Sequence, residues 1–200
     1  MNVPFVKRQE TRLSEGGRPL RADARRNRAR ILEVAVEAFA ADGLSVPVQE
    51  IARRAGVGTG TVSRHFPTKE ALFEAILLGR AGQLVDEATR LARSDDPGAA
   101  FFEFFTLVIA EGTANLGLAE ALAGAGFDLE TSTKRGGTDV LGALNDLLVR
   151  AQQAGAVRAD VDAMDVKALI SGCLARAPRT TDFAARDRMI SIARQGLRGR

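Results

Sequence analysis

The stretch Val48–Phe66, VQEIARRAGVGTGTVSRHF, decides how the rest of the chain is read. Its spacing predicts two short helices joined by a tight turn. Ile51 and Ala55 give the first helix an apolar side, and Ala52 is small where a second helix must cross closely. Gly56 falls where the chain leaves the first helix, a place that favours positive φ. Val57 and Val62 supply the inward contacts of the second helix. A small residue, a glycine four positions on, and apolar residues at fixed offsets are the pattern of a helix-turn-helix, whose second helix enters a DNA groove.

Upstream, a helical pattern starts at Asp23, with Ile31, Leu32, Ala35, Ala38 and Phe39 recurring at three- and four-residue steps until Gly43. Arg25, Arg26, Arg28 and Arg30 crowd its first turns, where cations oppose the helix dipole. Phosphate contact by some of them explains that placement better than helix stability does. Pro47 falls near the start of the next helix, with Ser45 or Val46 as its expected cap.

Thr59–His65 is the candidate recognition helix, with Thr59, Gly60, Thr61, Ser63 and Arg64 expected outside. Short hydroxyl side chains and a glycine let the backbone lie close to DNA, and Arg64 suits a phosphate or a guanine edge. His65 is the only histidine, which excludes a multi-histidine metal site; it either bonds a phosphate or packs beside Phe66. Phe66 is expected to fill a small core. Thr68 is a good N-cap for a long helix over about Lys69–Arg93, with Glu70 in its first turn.

Taken together, AGVGTGTVSRHFPTKEAL (Ala55–Leu72) closely resembles the DNA-binding segment of the TetR family of bacterial regulators, and the likeness extends over roughly Arg25–Leu84. The resemblance places Lys69 at a phosphate. It also implies a homodimer built through the last two helices as a four-helix bundle, a double-stranded DNA operator, and a small-molecule effector. Three departures stand out: Pro47 where the family more often has threonine, Gly58 where serine is common, and Ser63 where tyrosine is usual. They weaken caps and remove a backbone contact, so operator affinity or register is expected to differ while the fold is kept.

Composition narrows the classes. The 200 residues hold enough apolar chain for a real core, and no apolar run approaches the ~20 residues that span a bilayer. MNVPFVKRQE lacks the apolar region of a secretory signal, and one cysteine precludes an internal disulfide, so a cytoplasmic protein is expected. Net charge is +3, yet residues 1–69 carry 13 Lys+Arg against 7 Asp+Glu, and residues 70–200 carry 15 against 18. A basic front beside a helix-turn-helix points to a polyanion. Residues 1–22 lack periodicity and are expected to form a flexible basic arm. Its Lys7, Arg8, Arg12, Arg18 and Arg21 either reach DNA or simply stay solvated.

Beyond Ser94–Gly98, Ala99–Gly112 puts Phe101, Phe102, Phe104 and Phe105 almost all round one helix, which should be central and buried. Most of these rings must be ordinary core; an apolar pocket edged by Phe101, Phe104, Phe105, Val108, Phe127 and Cys173 is the functional expectation. Leu107 also stands near that edge. With no Trp or Tyr in the chain, polar handles must come from Thr106, Glu111, Thr113, Asn115 or Cys173. Gly124–Gly137 reads as a short helix plus loop, Thr138–Ala154 as amphipathic, and Ala163–Arg176 and Asp182–Leu197 as the last two helices. Cys173 is read as a buried small apolar residue rather than a redox sensor.

The expectation is therefore an all-α protein: an arm over 1–22, a three-helix DNA-binding head over 23–83, and an effector-binding, dimerising bundle over 84–200. No cofactor, metal or catalytic residue is expected, since no phosphate-cradling loop, ligand cluster or triad can be assembled. Two rivals keep part of this reading: a dimeric regulator without a small-molecule effector, and a ligand-binding adaptor whose DNA head has decayed.

Overall fold

The computed structural model describes residues 17–128, 131–133, 137–176 and 183–199. The chain divides into two units, the first ending at Pro67 and the second starting at Thr68. This break falls earlier than the expected one at 83/84 and leaves the long connecting helix whole in the second unit.

In the first unit, α1 (Gly17–Asp42), α2 (Val48–Ala55) and α3 (Thr59–His65) pack mutually. Helix α1 begins upstream of Asp23; Pro19 sits in its first turn, where a missing N–H leaves no bond unmade. Lys7, Arg8 and Arg12 of the expected arm lie outside the described residues, as do the side chains of Arg18 and Arg21. The core is Ile31, Ala35, Ala38, Phe39, Val46, Ile51, Ala52, Ala55, Val62 and Phe66, all buried.

The turn between α2 and α3 rests on Gly56, at φ 66°, whose neighbour Val57 donates N–H to Ala52 O at 3.0 Å. A Cβ on Gly56 would make only ordinary contact with the Arg30 guanidinium at 3.5 Å, so the left-handed φ, not space, favours glycine here. Pro47 itself is the N-cap of α2, rather than Ser45 or Val46. Its carbonyl accepts the N–H groups of Glu50 and Ile51, and no side chain caps the helix. Gly58 likewise caps α3 without a side-chain bond.

In the second unit, α4 (Lys69–Leu91) starts as expected: Thr68 Oγ1 accepts the Ala71 N–H at 3.1 Å. Helix α5 (Pro97–Ala114) is central and packs against α4, α7 (Val140–Gln153) and α8 (Ala163–Arg176). Between α5 and α7 lies α6 (Leu116–Gly124), set off from α5 by a 61° bend at Asn115. Asn115 Nδ2 donates to Glu111 O at 2.8 Å, local side-chain bonding of the kind that competes with helix propagation. Helix α8 opens on a reciprocal cap: Asp162 Oδ1 accepts the Met164 and Asp165 N–H groups, and Asp165 Oδ2 accepts the Asp162 N–H. Helix α9 (Phe183–Leu197) packs on α8. An antiparallel bridge between Val157 and Arg198 then ties the end of α9 to the α7–α8 connection. Among the described residues there is no strand beyond that bridge, and no single helix is long and apolar enough to cross a membrane.

Candidate functional site

Helix α3 divides cleanly. Val62 is fully buried, whereas Thr59, Gly60, Ser63 and Arg64 are exposed, and Thr61 and His65 are half-buried. Thr61 is therefore only partly outward. The His65 ring lies beside Phe66, centroids 6.2 Å apart and tilted by 48°.

The cations of this unit fall into two groups. Arg53 forks onto Glu50 at 2.8 and 2.7 Å. Arg54 bonds Glu50 through Nε at 2.7 Å and Asp42 through Nη2 at 2.7 Å. The hydrogen bonds from Arg53 and then Arg54 hold the Glu50 carboxyl down to about 2. Both guanidinium groups of α2 are thus engaged by the protein's own carboxylates. Arg26 pairs with Asp23, and Arg28 lies over the Phe66 ring at 5.2 Å. Among the described residues Arg25, Arg30 and Arg64 meet no carboxylate, and all three are exposed. Lys69 opens α4 in the second unit, with Nζ 5.8 Å from the Phe73 ring.

The second unit holds a cavity of about 380 Å³ among α4, α5, α7 and α8. Of the six residues expected to line a pocket, Val108 does; Phe101, Phe104, Phe105, Phe127 and Cys173 do not. The reason lies in one stripe of α5. Residues 101, 105, 108, 112 and 115 succeed one another at three- and four-residue steps, hence on one face. Its N-terminal part is filled by rings: Phe101 meets Phe102 edge-on at 5.2 Å and Phe105 at 6.4 Å, and Phe101, Phe104 and Phe105 are wholly buried. Farther on the stripe passes to Val108, Gly112 and Asn115, and the cavity lies there. A Cβ on Gly112 would approach both Leu174 methyl carbons to 2.9 Å, so its absence lets α8 come close.

Phe127 is half-buried after α6, its N–H donating to Leu122 O. Cys173 is a buried core residue, and burial pushes its thiol pKa up, against thiolate chemistry. Of the candidate polar handles, Glu111 and Asn115 line the cavity. Thr106 and Thr113 instead spend their hydroxyls on the carbonyls of Phe102 and Ile109. The wall residues missed from the sequence include Arg80 and Ala81 of α4 and Lys167 and Ser171 of α8. Their only sequence signal was helical spacing: Arg80 and Ala81 lie three and four residues after Leu77, Lys167 three before Ile170, and Ser171 four after Lys167, with Leu77 and Ile170 also lining the cavity.

A helix-turn-helix with its second helix exposed, followed by an all-α unit that contains a cavity, has the layout of a DNA-binding regulator. Residues 31–76 match the model described as bacterial regulatory proteins of the tetR family, and residues 96–199 match that of the C-terminal domain of SbtR-like transcriptional regulators. Among solved structures, a TetR transcription regulatory protein from Mycobacterium vanbaalenii is 47% identical. It covers 90% of this chain and 99% of its own, with a TM-score of 0.70. A TetR transcriptional regulator from Streptomyces coelicolor is 32% identical, covering 86% and 98%, with a TM-score of 0.68. The HTH-type regulator SrpR of Pseudomonas putida is 42% identical over 60 residues, 30% of this chain but only 28% of SrpR. The match therefore spans less than a third of that curated relative. The chain belongs to the TetR family of bacterial transcriptional regulators. The matched families are regulators, not enzymes.

Proposed function

We propose that the protein is a homodimeric repressor that binds a pseudo-palindromic operator and is released by a small, mostly apolar ligand. The observation that carries this reading is the division of α3, with Val62 inside and Thr59, Gly60, Ser63 and Arg64 outside. In this reading Thr59, Gly60, Thr61, Ser63 and Arg64 meet the major groove, while Arg25, Arg26, Arg28, His65 and Lys69 meet phosphates. The paired recognition helices would lie about 34–36 Å apart, one helical turn of DNA.

Exposed Met164 and Leu169 on α8, and Ile192 on α9, support self-association through these helices. The cavity supports a ligand. Such a ligand acts only through its preference for one conformation. Moving an equilibrium from about 99% to 1% DNA-competent needs a preference of about 5 kcal/mol.

Selection of DNA from a random pool by the purified protein tests the reading, with sedimentation velocity on the complex. A near-palindromic motif bound by two copies is the expected result. Absence of any enriched motif would overturn DNA recognition, and a motif bound by a single copy would overturn the dimer. A thermal-shift screen followed by operator release tests the effector: a compound that stabilises the protein yet leaves DNA bound counts against release.

A further inference from the structure

We propose that the cavity takes an uncharged aliphatic molecule of about ten carbons, held by burial of its chain and not by a charged head group. This rests on reading the cavity as the effector site and adds the ligand's charge, chemistry and length. The cavity's surface is almost wholly apolar, with Leu77, Leu84, Leu141, Leu144, Ile170 and Leu174 prominent in the wall. No aromatic ring is among the described residues that line it, so a planar ligand gains no stacking there. The volume of about 380 Å³ equals roughly a dozen waters at about 30 Å³ each, which suits a chain of about ten carbons.

The polar groups of the wall are already satisfied by the protein. Two cations, Arg80 and Lys167, are matched in number by two carboxylates, Glu111 and Asp139. Arg80 Nη1 donates to Gln83 Oε1 at 3.1 Å along its own helix. Asn115 Nδ2 donates to Glu111 O at 2.8 Å and to Glu111 Oε2 at 3.3 Å. Asp139 Oδ1 accepts the Gly142 N–H at 2.9 Å, capping α7. Ser171 Oγ donates to Lys167 O at 2.9 Å, and Thr133 and Lys167 are also engaged within the protein. Among the described residues no buried side-chain nitrogen or oxygen lacks a hydrogen-bond partner. A charged ligand would leave water for a wall whose charges balance, at a cost that burying its chain does not offset. An uncharged chain meets no such penalty and gains about fourfold in affinity for each methylene buried.

Isothermal titration of the intact protein with 1-octanol, 1-decanol and 1-dodecanol, then with sodium decanoate and decyltrimethylammonium, tests the proposal, each kept below its solubility or micelle-forming limit. Affinity should rise about fourfold per methylene from 1-octanol to 1-decanol and level off at 1-dodecanol. 1-Decanol should bind at least tenfold more tightly than either ion. Leu174→Ala, which enlarges the cavity, should let the rise continue to 1-dodecanol. Val108→Trp, which fills it, should abolish binding of the alcohols. Decanoate or the ammonium binding as tightly as 1-decanol overturns the uncharged class while leaving the cavity as an effector site. A rise that continues to 1-dodecanol in the wild type overturns the length. Alcohol binding untouched by both Val108→Trp and Leu174→Ala places it elsewhere and overturns the proposal. Binding of no alcohol overturns it as well, and the effector reading is then decided by the screen for operator release.

Discussion

In the first unit the large apolar side chains from Ile31 to Phe66 turn inward, and α1 and α3 leave arginine, threonine, serine and glycine outside. In the second unit Val149, Met164, Leu169 and Ile192 remain exposed, and they are the large exposed apolar side chains found among the described residues. One surface offers charge and hydrogen bonds, the other offers greasy area. The first suits a polyanion, whose affinity comes through phosphates and counterion release. The second suits a partner of its own kind, since apolar area is stabilising only when something covers it. Within the first unit the arginines divide as well: Arg53 and Arg54 are held by Glu50 and Asp42, while among the described residues Arg25, Arg30 and Arg64 meet no carboxylate.

The greasy surface can be broken most severely. Leu169→Glu with Ile192→Glu should dissociate the proposed dimer. Full burial of one apolar side chain is worth about 1.5–3 kcal/mol, and Leu169 and Ile192 are 39% and 64% exposed, so covering what remains of the pair is worth about 1.5–3 kcal/mol per subunit before symmetry doubles it. Sedimentation velocity should show monomers at micromolar concentration; an unchanged dimer would place the interface elsewhere.

Next in size is the small core beneath the polar surface. Phe66 is buried with Arg28 across its ring. Phe66→Ala should destabilise the first unit by about 3–5 kcal/mol, read as earlier loss of amide protection in α1–α3 during hydrogen exchange. Protection lost equally in α5 and α7 would mean that the two units unfold as one.

Arg64→Ala should leave stability alone and weaken operator binding by about 1–3 kcal/mol. If Arg64 bonds a phosphate, the slope of log affinity against log salt should also fall by about one. Equal affinity for wild type and variant across a salt titration would remove Arg64 from the interface.

The smallest effect is electrostatic. With its folded pKa held at about 2, below the ordinary 4.5, Glu50 contributes stability that is complete above about 4.5. That contribution is lost as pH falls through about 2. The group is solvent-accessible, so salt should screen much of the effect. Carboxyl NMR of Glu50 should titrate near 2 at low salt; a midpoint near 4.5 would mean that the Arg53 and Arg54 pairs do not persist in solution.

The helices of the head were legible because their signals are local. Gly56 needs a left-handed φ, Val62 and Phe66 keep helical step with the core, and Thr68 caps the helix that follows it. Element boundaries failed where local rules gave ties: Pro47 proved to be the cap rather than the first helical residue, and α1 runs back to Gly17. The bend at Asn115 was not legible, because a single asparagine with no adjoining proline is weak punctuation. The cavity was misplaced by about two turns along one stripe of α5. Aromatic residues advertise apolar surface in a sequence, but here Phe101, Phe104 and Phe105 are wholly buried and fill their space, while the cavity lies farther along, at Val108, Gly112 and Asn115.

The sequence alone determined that the chain is all-α, that its front is basic, and that a helix-turn-helix lies at Val48–Phe66. These properties are set by residue type within three or four positions along the chain. Only the tertiary structure decided which cations are already paired and where α4, α5, α7 and α8 fail to meet. Pairing and void space arise between residues far apart in sequence, and no periodicity within one helix records what the next helix brings against it.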